Sequence, residues 1–148
     1  MEMKVTLHDR KPVTNQDGHT LRELVGIPSM NVNKYSVAHI VAPAGSSGTT
    51  RQNQFDEILL GIAGRGAVQL DHATHDLGPK ELLLLPAGTR YTLVASGDGP
   101  WELWAICVPA FRPEWSQEGG GRRDWRDYQV PRGADRLREL KSRQDESG

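Results

Sequence analysis

Residues 34–42 (KYSVAHIVA) alternate between apolar and polar positions, with Tyr35, Val37, His39 and Val41 on one face of a predicted strand. Successive strand residues point to opposite faces, so these four look either into a barrel together or away from it together. Residues 55–62 form a second strong strand, with Phe55, Glu57 and Leu59 on one face and Asp56, Ile58 and Leu60 on the other. Both faces are largely apolar, which predicts a strand covered on both sides, by a barrel interior and by a second sheet or subunit. Glu57 is then a carboxylate among apolar neighbours. Hairpins at residues 64–66 and 71–75, a strand over 81–85, another bearing Tyr91 and Leu93, and a closing strand over 101–109 (WELWAICVP, with Trp104) complete the pattern. Short strands separated by turns every eight to twelve residues or so predict an all-β barrel or sandwich.

The flanks are less regular. Residues 3–8 alternate as a short strand, residues 11–18 are turn-rich, residues 19–25 fit a strand or a single helical turn, and residues 26–33 read as a loop. After residue 109 the two-residue period stops. Residues 111–128 carry two of the four tryptophans and a glycine hinge at 119–121, the composition of a lid over the barrel mouth or of a strap packed on the outside. Residues 134–143 predict a short helix with Leu137 and Leu140 on one side, and the last four residues predict disorder. The organisation is one domain in three stretches: an N-terminal arm (1–33), a barrel core (34–109), and a C-terminal aromatic segment with a short helix (110–148).

Length and composition narrow the class. A chain of 148 residues buries one core without staples. With 16 glycines and 9 prolines it favours turns over long helices. Eighteen basic residues balance 19 acidic ones, so no bulk charge draws the chain to nucleic acid or to a membrane surface. Cys107 is the single cysteine and has no intrachain disulfide partner. The first residues lack the apolar core of a signal peptide, and no stretch approaches the length of a membrane span, so a soluble, cytoplasmic protein is expected.

Two segments carry a resemblance. In GSSGTTRQNQFDEILLGIAG (residues 45–64) the spacing Gly45, Arg51, Asn53, Glu57, Gly64 is similar to the first motif of the cupin superfamily, and in GPKELLLLPAGTRY (residues 78–91) Pro86, Gly88 and Tyr91 resemble the second. The resemblance implies a jelly-roll type β-barrel, a double-stranded β-helix, with an irregular, partly helical C-terminal tail. It also implies a homodimer in which the leading arm meets the neighbouring subunit. In cupins the positions of Arg51, Asn53 and Tyr91 are usually histidines that bind a metal together with the glutamate. Here three of the four usual ligands are replaced.

The replacements change the chemistry. A guanidinium has five donors and no lone pair, so Arg51 puts a fixed positive charge where a cation would sit, and suits an anionic or carbonyl group of a ligand. Asn53 orients a carbonyl or a water, or fills space. Glu57 is the candidate general base, with a structural salt bridge to Arg51 as its alternative role. Tyr91 is the candidate acid or oxyanion donor, or satisfies a buried carbonyl. Tyr35 and His39, if their face is inward, add a polar stripe opposite Glu57, and Phe55 and Trp104 complete the expected substrate-binding set. Glu57, Tyr91 and His39 could in principle hold a divalent metal, since the ectoine synthase-like cupins, whose Glu-bearing strand this chain resembles, have a ligand set containing Tyr, but the Arg51 charge opposes it. No metal and no other cofactor is therefore expected.

The resulting expectation is a metal-independent cupin enzyme performing acid-base isomerisation, cyclisation or elimination on a small carboxylate- or enol-bearing substrate, as in specialised-metabolite biosynthesis. The alternatives are a non-catalytic small-molecule-binding cupin and a metal-dependent lyase or dioxygenase with altered ligands. The expected partners are a small-molecule substrate and a second copy of the chain, with no nucleic acid and no membrane.

Overall fold

The computed structural model describes residues 3–118 and 121–122. The strands run in chain order as β1 (Val13–Thr14), β2 (Thr20–Val25), β3 (Ser36–Ala42), β4 (Arg51–Asn53), β5 (Asp56–Ala63), β6 (Gly66–Leu70), β7 (Thr74–Leu77), β8 (Leu82–Leu85), β9 (Arg90–Val94), β10 (Trp101–Val108), β11 (Ser116–Glu118) and β12 (Gly121–Arg122). They form two antiparallel sheets facing each other across one core. The first has the order β1-β2-β3-β10-β5-β8 and the second β12-β11-β4-β9-β6-β7. This is the all-β cupin barrel. Among the described residues no helix is long and apolar enough to cross a membrane.

The core follows from strand alternation. From β3, Ile40 and Ala42 point inward; from β10, Trp101, Leu103 and Ala105 do. They meet Leu59 of β5, Val68 of β6, Leu85 of β8 and Leu93 of β9, all at most 7% exposed. Trp101, fully buried, lies over the backbone of Gly66, where any Cβ would strike its ring. The outer face of the first sheet is also largely apolar: Ile58 and Leu60 of β5 are half-buried, while Leu82 and Leu84 of β8 stand exposed.

The N-terminal arm differs from its expectation. Residues 3–8 do not form a strand. Thr6 N–H donates to the Asp9 carboxylate at 2.9 Å and Asp9 N–H to Thr6 O at 3.0 Å, which closes a 3-10 turn over Leu7–Asp9 instead. The ambiguous residues 19–25 are strand: β2 pairs with β3 of the same chain, Thr20 opposite Val41 and Arg22 opposite His39. The expected loop after it contains one helical turn, α1 (Ile27–Met30), with Pro28 in its first turn and Asn31 in the left-handed region at its end. After β10 the described part of the aromatic segment adds β11 to the edge of β4, with Ser116 opposite Asn53. The expected helix over 134–143, Trp125 and the chain end lie outside the described residues.

Candidate functional site

Register brings the motif residues together. Opposed residues of an antiparallel pair share a face, as do residues two apart on a strand. Arg51 of β4 lies opposite Tyr91 of β9, so Arg51, Asn53 and Tyr91 share the inner face of the second sheet. Glu57 lies opposite Leu85 on one side and Cys107 on the other, on the inner face of the first sheet. The turn before β9 fixes the spacing: Gly88 adopts φ +88°, and its N–H donates to the Asn53 carbonyl at 2.8 Å. That bond ties the Pro-x-Gly turn to the strand carrying Arg51 and Asn53.

Glu57, Asn53 and Tyr91 form a closed hydrogen-bonded triangle, each at most 6% exposed. Asn53 Nδ2 donates to Glu57 Oε2 at 3.1 Å and to the Tyr91 hydroxyl at 3.2 Å. The Tyr91 hydroxyl in turn donates to the carboxylate, 3.2 Å from Oε1 and 3.1 Å from Oε2. Burial pushes the Glu57 carboxyl above its ordinary range; the Arg51 charge and the Tyr91 hydrogen bond offset only part of that. Burial, and then the Glu57 charge, push the Tyr91 phenol well above its ordinary value. Tyr91 is therefore a hydrogen-bond donor at neutral pH and a poor source of a free proton. The Cys107 thiol, 4.0 Å from Glu57 Oε2, is raised by the same two causes.

Arg51 stands beside the triangle and acts on Glu57 through its charge. Its Nη2 lies 3.3 Å from Asp17 Oδ2, in the turn between β1 and β2. Asp17 also accepts a 2.6 Å hydrogen bond from the Thr49 hydroxyl. Burial opposes ionisation of Asp17, but the Thr49 hydrogen bonds and the Arg51 charge outweigh it and hold the carboxyl below its ordinary range. Sequence reasoning missed Asp17. It lies 34 positions before Arg51, in a segment whose only signal was that of a turn.

Three expected site residues lie elsewhere. His39 of β3 and Trp104 of β10 are opposed in register on the outer face of the first sheet, turned away from Glu57. The His39 ring meets Trp104 edge-on at 5.2 Å, and its Nε2 lies 3.2 Å from Glu102 Oε2. Tyr35 precedes β3 and is half exposed. The sequence left the facing of this strand open. The structure answers it by turning Ile40 and Ala42 into the core, so the polar stripe opposite Glu57 and a ligand set containing His39 are both corrected. Phe55 is buried on the inner side, edge-on to Phe111 at 5.6 Å. His72 and His75 are exposed on the β6–β7 hairpin.

The motif positions that hold a metal in other cupins present a guanidinium, an amide, one carboxyl and a phenol. Among the described residues no three His, Cys, Asp or Glu converge. That donor set does not fit a divalent cation, least of all beside Arg51.

The profile of the AraC-like ligand-binding domain matches residues 45–148, beginning at the first motif glycine. The chain belongs to that family. Among curated proteins it is 31% identical over 110 residues to the endoribonuclease YbeY of Myxococcus xanthus; the match covers 74% of this family member but only 37% of that protein, a little over a third of its length. Its fold is similar to that of the polyketide cyclase RemF from Streptomyces resistomycificus, with a TM-score of 0.64, 15% identity, and 83% and 85% of the two chains covered. It is also similar to that of the Streptomyces nucleoside dehydratase Pac13, with a TM-score of 0.67, 18% identity, and 84% and 94% covered. At such identities the likeness is one of fold.

Proposed function

We propose that the chain is a cupin enzyme that runs acid-base chemistry on a small organic molecule inside the barrel, with Glu57 as the base. The observation that carries this is the triangle itself: a buried carboxyl of raised pKa, bonded to a phenol that stays protonated, with a guanidinium charge alongside. Buried, perturbed carboxyls of this kind concentrate at functional sites.

In this reading Arg51 draws in the carbonyl or carboxylate of the substrate. Glu57, as carboxylate, takes the proton from the carbon next to the carbonyl, and the electron pair of that C–H bond moves onto the carbonyl oxygen. The Tyr91 hydroxyl, redirected from Glu57, donates a hydrogen bond to the oxyanion without surrendering its proton. Glu57, now protonated, returns the proton to the former carbonyl carbon of an α-hydroxycarbonyl, whose own hydroxyl proton passes to the oxyanion, which is isomerisation, or to a hydroxyl departing from the β carbon, which is elimination of water. Atoms and charge balance with no further reagent. Cyclase and dehydratase activities among proteins of this fold are in keeping with such chemistry.

A second reading, favoured by the family match, is a ligand-binding domain in which the same groups hold a molecule without turning it over. The two separate by proton NMR in heavy water against a panel of small ketones, 2-oxo acids and hydroxyketones. The enzyme reading expects loss of a C–H signal with the wild type, and no loss with Glu57→Gln although ligand still binds. Undiminished exchange in Glu57→Gln removes Glu57 as the base. Binding without exchange across the panel favours the second reading.

A further inference from the structure

Beside the triangle, among the described residues, two buried polar side-chain atoms have no hydrogen-bond partner. Asn53 spends its amide nitrogen on Glu57 and Tyr91, which leaves its Oδ1 buried and unbonded. Directly opposite, in the β4–β11 register, Ser116 is 1% exposed and its Oγ is also unbonded. Opposed side chains of an antiparallel pair share a face, with Cβ atoms about 5 Å apart, so the two side chains are neighbours on the inner face of the second sheet. A buried polar atom without a partner is destabilising, and native structures hold few of them. Asn15 Nδ2, Arg22 Nε and Trp101 Nε1 are others among the described residues, and Trp101 stands at the opposite end of β10 from Cys107.

We infer that Asn53 Oδ1 and Ser116 Oγ form a hydroxyl subsite of the barrel, and that the natural ligand carries a neutral O–H on the atom next to its carbonyl. The inference rests on the proposed placement of the carbonyl at Tyr91 and Arg51, and deepens it. An amide oxygen only accepts, so the ligand group that meets Asn53 is a donor. A serine hydroxyl both donates and accepts, so it closes the second hydrogen bond to the same ligand oxygen. The acceptor-only Asn53 oxygen repels a carboxylate or phosphate oxygen and suits the O–H of an alcohol or an enol. Asn53 bridges the two halves: its nitrogen lies 3.2 Å from the Tyr91 hydroxyl, and the residue lies opposite Ser116 in the β4–β11 register. A ligand with its carbonyl at Tyr91 therefore presents the neighbouring carbon's hydroxyl to Asn53 Oδ1. The substrate class is an α-hydroxycarbonyl compound or the enol of a 1,2-dicarbonyl.

The test is binding, independent of turnover. Hydroxyacetone, methoxyacetone and acetone are titrated into the wild type, Glu57→Gln and Ser116→Ala, and binding is followed through the Asn53 side-chain amide resonances. Hydroxyacetone is expected to shift them in the wild type and in Glu57→Gln. Methoxyacetone and acetone, which lack the donor, are expected to bind several-fold more weakly. In Ser116→Ala hydroxyacetone is expected to lose about fivefold in affinity, the weight of one neutral hydrogen bond. The free Ser116→Ala protein is expected to melt no lower than the wild type, because its hydroxyl has no bond to lose. Equal binding of all three probes overturns the subsite, as does an unchanged affinity in Ser116→Ala. So does a crystal structure in which one water bridges Asn53 and Ser116 and stays there under saturating hydroxyacetone. Binding of hydroxyacetone to Glu57→Gln together with undiminished proton exchange would instead leave the subsite standing and remove the catalytic role of Glu57.

Discussion

Tyr91 places its hydroxyl almost evenly between the two oxygens of Glu57, 3.2 Å from one and 3.1 Å from the other, with both residues buried. One phenolic proton thus serves both carboxylate oxygens. Burial disfavours a charge on either group, and a charge on Glu57 further disfavours one on Tyr91. The pair therefore carries one negative charge at most, and Arg51 is the group that compensates it.

The stability cost of that charge is measurable. The folded Glu57 carboxyl titrates above its unfolded value of 4.5, so between these two pKa values the native state holds more protons than the unfolded one. Stability consequently falls as pH rises through this window and stays lower above it. Glu57→Gln removes the ionisation and is expected to melt a few degrees higher than the wild type at pH 8, where each kcal/mol corresponds to roughly 3–4 °C. The difference is expected to vanish well below pH 4.5, where both folded and unfolded carboxyls are protonated. A melting curve pair with a gap independent of pH would show that Glu57 is not the titrating group.

Tyr91→Phe tests the donor. The substitution keeps the ring in the core and removes a hydrogen bond that lowers the Glu57 pKa. Turnover is expected to fall by about 10²–10³, the usual loss for one oxyanion donor, with KM changed little. The acidic limb of the pH–rate profile is expected to move to higher pH, because Glu57 then holds its proton longer. A fall in rate with the limb unmoved would place Tyr91 outside contact with the base.

Cys107 is inert by the same physics that perturbs Glu57. Its thiol is 5% exposed, and burial with the nearby carboxylate keeps it protonated well above neutral pH. A thiol reagent at pH 8 is expected to leave the native protein unlabelled over a time that labels the denatured chain completely. Labelling of the native protein at the denatured rate would show that this part of the barrel is open to solvent.

Much of this was legible in the sequence for a definite reason. The period-two pattern shows which residues of a strand share a face, and the spacing shared with the two cupin motifs is what brought Arg51, Asn53, Glu57 and Tyr91 together. What alternation alone does not fix is which of two faces is inner. For β3 one face offered Tyr35, Val37, His39 and Val41, and the other Ser36, Ala38, Ile40 and Ala42; the second is inward, with Ile40 and Ala42 in the core beside Leu103 and Trp101, and His39 with Trp104 went outward. Asp17 and Ser116 were illegible for another reason. Each reaches the site through a pairing between segments distant in the chain, β11 on β4 and the β1–β2 turn on Thr49 and Arg51, and neither segment carries a periodic signal.

Asp17 yields the last prediction. The pair it forms with Arg51 is mostly buried, with 14% of the arginine and 7% of the aspartate side chain exposed, and the Thr49 hydroxyl fixes the other carboxylate oxygen. Arg51 is thereby aimed at the barrel from behind, and Asp17 acts on the substrate only through it. Asp17→Asn keeps the shape and an acceptor for Thr49 but removes the charge that holds the guanidinium. KM for a carbonyl or carboxylate ligand is expected to rise several-fold while kcat changes less, since ground-state binding is what Arg51 supplies. Asp17→Glu, which restores the charge, is expected to recover part of that loss, and a merely structural role would not predict such rescue. Stability provides an independent readout: the Asp17 pKa is lowered from 3.8, so its contribution is present above that pH and is lost as pH falls through the folded value. Asp17→Asn is expected to be less stable than the wild type at pH 7 by about 1 kcal/mol or less, and to match it in strong acid. A loss in kcat with KM unchanged would instead make Arg51 a participant in the chemical step and not in binding.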